Sequence, residues 1–181
     1  MTNDELRQKA TDLYIRVKEK FLLAEETSEE FKDFLQPTFE INRAFDHLMR
    51  IDAVGLGLID NDHPDEYIRG NLEKAIGHLY RAFFDIVDWL SLELRNEVIE
   101  EFGDFSHECI ADVMPEYYSE VRPKVDELSE KIATIRSKKD VTDSGTIAVM
   151  EEYAELVQKF AEKVKVLKKK KIIIIKGCNY I

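Results

Sequence analysis

Asn71, Lys74, His78, Arg81, Asp85 and Asp88 recur at intervals of three and four, so on a helix they form one polar stripe. The residues between them are apolar: Ile76, Leu79, Phe83, Phe84, Ile86, Val87, Trp89, Leu90 and Leu92. Ionisable groups are costly to bury unless paired, so such a stripe must face a solvent channel, another polar face or a ligand. A matching set precedes it in Glu40, Arg43, Asp46, His47 and Arg50. Two readings stand side by side. One is an interhelical network of hydrogen bonds and ion pairs, or simply a solvated face. The other is a pocket in which His78, Arg81 and Asp85, with Arg43 and His47, hold an anion or carry out acid–base work. Arg81 and Asp85, four apart, are expected to pair with each other.

Other chemistries find little footing. A di-metal helical site needs Glu-x-x-His pairs, but Glu73 is followed three residues on by Ile76. No serine lies in a Gly-x-Ser-x-Gly elbow. Gly55-Leu56-Gly57 lacks the further glycine, the lysine and the strand of a nucleotide-binding loop. Neither a metal nor a cofactor is expected. Cys109 and Cys178 lie far apart and match no ligand spacing, which reads as neither a zinc site nor a redox pair and as a chain of the reducing cytoplasm.

Charge is distributed unevenly along the chain. Residues 1–130 carry 14 basic and 31 acidic side chains, whereas residues 131–181 carry 12 and 6. The dense basic run is Lys168, Lys169, Lys170 and Lys171, with Lys159, Lys163, Lys165 and Lys176 around it. It reads either as a solvated helix end, favoured by the helix dipole, or as an arm that docks on an acidic protomer or partner. Nucleic acid is disfavoured because the acidic body repels phosphates. No stretch approaches the roughly 20 apolar residues of a membrane span.

The elements that must position these residues are helical. Glycine and proline number only 7 and 4 in 181 residues, and 35% of side chains are charged, a balance that favours long helices. Leu6, Ala10, Leu13, Val17, Phe21 and Ala24 mark the buried face of a first helix. Thr27 and Glu30 match a capping box for a short segment carrying Phe31, Phe34 and Leu35. Another helix starts at Pro37, with Phe39, Ile41, Phe45, Leu48, Met49 and Ile51 as its apolar set. Gly55 to His63 is the clearest turn. From Pro64, suited to a first helical position, a helix runs to Phe102, roughly 58 Å at ~1.5 Å per residue. Gly70 and Gly77 offer a face where another backbone could approach closely. Pro115 and Pro123 split the segment beyond Gly103. Ser137 to Gly145 reads as a loop, with Asp143 capping a last helix. Ile172 to Ile175 either continue that helix toward Gly177 or form a β-prone segment.

The helical pattern over roughly residues 37–135, and the segment His78-Leu79-Tyr80-Arg81-Ala82-Phe83-Phe84-Asp85, resemble the HEPN superfamily of helical domains. That resemblance implies either a metal-independent ribonuclease or an inactive relative. The family motif is an arginine, four to six residues, then a histidine. Arg43 and His47 enclose three, and the pairs Arg69–His78 and Arg95–His107 enclose more than six.

The expectation is an all-α, elongated antiparallel bundle of about five helices around one long central helix. Residues 1–167 form one domain and residues 168–181 a basic, Ile-rich tail. The leading functional reading is a non-enzymatic interaction or regulatory module that binds a protein partner and self-associates. The alternative is a HEPN-like ribonuclease or nucleotide-responsive domain of a microbial stress or defence system.

Overall fold

The computed structural model describes residues 1–27, 35–103, 105–138 and 146–178. Among them there is no strand, and the all-α class holds. The elements are α1 (Asn3–Thr27), α2 (Leu35–Gly55), α3 (Pro64–Gly103), α4 (His107–Val113), a π-helical turn (Tyr117–Val121), α5 (Arg122–Lys138) and α6 (Thr146–Cys178). There are therefore six α-helices among the described residues instead of about five, the additional one being the short α4. The Thr27–Glu30 capping box and the Asp143 cap lie outside the described residues.

Local chemistry explains most of the boundaries. Thr2 and Glu5 form a reciprocal capping box at the start of α1, with Thr2 N–H donating to Glu5 Oε2 at 2.7 Å and Glu5 N–H to Thr2 Oγ1 at 3.2 Å. α2 ends in a Schellman motif: Leu58 N–H reaches Ala53 O at 2.8 Å and Gly57 N–H reaches Val54 O at 3.0 Å. Gly57 sits at φ +69°, the left-handed conformation this motif requires, and a side chain there would be strained. Pro64 opens α3, with Asp65 and Glu66 in the first turn facing the helix dipole.

Ser106 caps α4 by accepting from Cys109 N–H, and the helix stops at Met114, whose φ −139° is that of a residue held extended before Pro115. Pro123 lacks an N–H, and its ring would crowd the Ser119 carbonyl in an α ladder. The wider π turn just before it, where Arg122 N–H reaches Tyr117 O, relieves that crowding. Of the two readings for the C-terminal run, the helical one holds, because α6 continues through residues 168–178.

The chain forms two compact units where the sequence pattern suggested one domain and a tail. Among the described residues, Met1–Val87 make the first and those from Asp88 on the second. In the first, α1, α2 and the N-terminal part of α3 run up, down and up. Arg69 reaches Met1 O at 2.8 Å and Asn3 reaches Asp65 O at 3.3 Å, so the starts of α1 and α3 lie together. Arg7 pairs with Asp52 at 3.9 Å, which brings the end of α2 to the same level. The core is built from Leu6, Ala10, Leu13, Val17 and Ala24 of α1 with Leu72, Ala75, Leu79, Phe83 and Phe84 of α3. In the second unit α6 packs on α4 and α5, burying Tyr153, Val157, Phe160, Ala161 and Val164 with Ile110, Val125 and Ile132.

Two expectations about packing are corrected. Half of the apolar set of α2 lies outside its buried face: Phe39, Phe45 and Met49 are exposed by 53%, 58% and 42%, Ile41 and Leu48 are half-buried, and Ile51 is buried with Pro37, Glu40 and Ala44. The reason is that α2 turns its polar stripe toward that of α3. Nor do Gly70 and Gly77 admit a neighbouring backbone. Nothing lies within 4 Å of a Cβ built at Gly70, and at Gly77 the nearest group is the Arg81 guanidinium at 3.7 Å.

Candidate functional site

α2 brings Glu40, Arg43 and His47 onto one face, at spacings of three and four, and α3 meets them with Asn71, His78 and Arg81. The centre is Glu40, whose side chain is 3% exposed. Its Oε1 accepts from Arg43 Nη1 at 2.6 Å, and its Oε2 accepts from Arg81 Nε at 2.8 Å and lies 2.7 Å from His78 Nδ1. Burial by itself would raise the Glu40 carboxyl pKa. The hydrogen bonds from His78 and Arg81 and their charges outweigh it and hold the pKa below the ordinary value.

Two histidine rings complete the cluster. His47 and His78 stack with centroids 5.4 Å apart and planes 20° from parallel. His47 Nδ1 lies 2.9 Å from Asn71 Oδ1, so the amide oxygen holds a proton on that nitrogen, and Asn71 anchors itself through Nδ2 to Tyr67 O at 2.8 Å. His78 Nδ1 also lies 2.7 Å from Arg81 Nη2 and cannot donate to Glu40 while accepting there. Facing a buried carboxylate, Nδ1 carries the proton, because a lone pair there would oppose the negative charge.

The arginines are anchored at one end and open at the other. The Arg43 side chain is 61% exposed and that of Arg81 42%. Among the described residues, Arg43 Nε and Nη2 and Arg81 Nη1 have no hydrogen-bond acceptor in the protein.

Of the residues the sequence pattern grouped, the structure brings Arg43, His47, His78 and Arg81 together, with Glu40 and not Asp85 as the carboxylate among them. Arg81 bonds to Glu40 across the helix pair instead of pairing with Asp85 along its own helix. Asp85, half-buried one turn further on, takes no part in the bonds that converge on Glu40. The stripe divides further. Lys74 is exposed, Asp46 and Arg50 form an exposed pair at 2.8 Å, and Asp88 accepts from the Tyr153 hydroxyl at 2.6 Å within the second unit. Glu40 could have been found from the sequence as the carboxylate sharing a helical face with Arg43 and His47.

Beyond the cluster, α1 and α2 enclose an open apolar groove of about 460 Å³ lined by Ala10, Tyr14, Ile41, Phe45, Leu48 and Met49, with Leu79 at its floor. In the second unit Cys109 is disulfide-bonded, and Cys178, the other cysteine of the chain, closes α6. The reading of the cysteines as unpaired is corrected: distance along the chain says nothing once α6 returns onto α4. That removes the ground on which reducing surroundings were assigned. The backbone of Lys168 to Lys171 is helical, and Lys169 is exposed. Among the described residues no three His, Cys, Asp or Glu side chains are grouped as a metal site, and no helix is long and apolar enough to cross a membrane.

Comparisons with protein-family models, with curated proteins and with solved structures find no match to the chain.

Proposed function

We propose that the protein is a non-enzymatic helical interaction module that self-associates through the apolar face of α2 and the adjoining α1–α2 groove. One observation carries this reading. α2 buries Glu40 against α3 and leaves Phe39, Phe45 and Met49 in water beside an apolar groove, an arrangement with no benefit to an isolated chain. A second copy is the occupant this surface fits, because groove and apolar ridge lie side by side on one face, as a two-fold interface requires. The basic run Lys168, Lys169, Lys170 and Lys171 adds a weaker attraction for the acidic body of another copy or of a partner protein. A cytoplasmic location belongs to this reading, and the disulfide at Cys109 is the feature that weighs against it.

Sedimentation velocity over a concentration series tests the proposal. Wild type should form dimers, and Phe45→Glu should shift dissociation at least tenfold toward monomer with an unchanged helical circular dichroism spectrum. Replacing Lys168, Lys169, Lys170 and Lys171 by glutamine should weaken association only at low salt, since exposed charges are screened over about 8 Å at physiological ionic strength. A Phe45→Glu chain that associates like wild type would sink the reading.

A second reading, a HEPN-like ribonuclease, is favoured by the convergence of Arg43, His47, His78 and Arg81. It expects metal-independent cleavage of single-stranded RNA that His78→Ala abolishes. Intact RNA after incubation with wild type would rule it out.

A further inference from the structure

We propose that the cluster around Glu40 is a receptor for a phosphate-monoester or inorganic phosphate dianion, bound by the free edges of Arg43 and Arg81. The two guanidinium groups sit on the two oxygens of one carboxylate, so they lie side by side and are fixed before any ligand arrives. Glu40 is buried and cannot itself face a ligand, whereas both arginines keep N–H groups that no described residue accepts from. Planar guanidinium forks match tetrahedral oxyanions, and donors held in place lose little entropy on binding. Arg43 and Arg81 with ionised Glu40 carry one net positive charge beside the two stacked imidazole rings.

The surrounding charge selects the size of the ligand. Residues 1–87, which make up this unit, hold 18 acidic side chains against 11 basic ones, so a long polyanion laid over it would meet net repulsion. A single compact dianion meets only the local cationic patch. The geometry therefore points to a small phosphate and not to an extended nucleic acid, which separates this site from the ribonuclease reading although the residues overlap.

Titration calorimetry at constant ionic strength tests it, with inorganic phosphate, adenosine 5′-monophosphate, adenosine, and an RNA oligonucleotide lacking terminal phosphates as four probes. The first two should bind in the millimolar range or tighter and adenosine should not. Phosphate binding as tight as that of the monophosphate assigns free phosphate as the ligand; tighter monophosphate binding assigns the monoester. Arg43→Gln and Arg43→Lys should each weaken binding at least tenfold, the lysine because it supplies a charge without the fork. Both should fold, since Arg81 and His78 still hold Glu40. Absence of phosphate binding, unchanged affinity in Arg43→Gln, or preferential binding or cleavage of the RNA would each overturn the proposal.

Discussion

Glu40→Ala should destabilise the first unit by about 3 kcal/mol, the low end of the roughly 3 to 5 kcal/mol typical of breaking a buried ion pair. The substitution removes the acceptor for Arg43, Arg81 and His78 and leaves a void at a position 2% exposed. The loss stays near the lower bound because both guanidinium groups are already about half in water and can recover hydration. Urea unfolding followed by far-ultraviolet circular dichroism would measure it. A change under about 1 kcal/mol would mean that the charges are solvated and the cluster holds nothing in place.

The same carboxylate sets a pH dependence. Its native pKa is depressed, so the unfolded chain binds the proton more readily. The stabilisation is present in full above the ordinary carboxylate value of about 4.3 and is lost as pH falls below it toward the depressed native value. Glu40→Ala should accordingly match wild type more closely in acid than at neutral pH.

Phe160→Ala should cost about 3 to 5 kcal/mol in the second unit, as truncating a fully buried aromatic side chain does elsewhere. Phe160 is 1% exposed and lies in the row Tyr153, Val157, Phe160, Ala161 and Val164, by which α6 packs on its neighbours. The cavity term is large here because the backbone on both sides is helical and cannot easily collapse into the gap. Denaturant unfolding of the variant gives the value directly. A loss below about 1 kcal/mol would show that α6 is held loosely and contributes little to this core.

Composition and periodicity by themselves determined that the chain is helical, where α1 buries its face, that a turn follows Gly55, and that a long helix starts at Pro64. All four come from local rules: apolar spacing, proline's missing N–H and glycine's access to positive φ. The two polar stripes were equally legible, because each is a spacing along one helix. Which carboxylate joins them was decided only by tertiary structure. Arg81 has Asp85 four residues away along its own helix, yet the rotation of α2 against α3 delivers Glu40 to it at 2.8 Å. Once that polar seam closed, Phe39, Phe45 and Met49 of α2 had to face outward, although their spacing alone reads as core. The disulfide at Cys109 and the partition into two units belong to the same class, since both depend on where distant segments meet. Local spacing says which side chains share a face, and only packing says what that face meets.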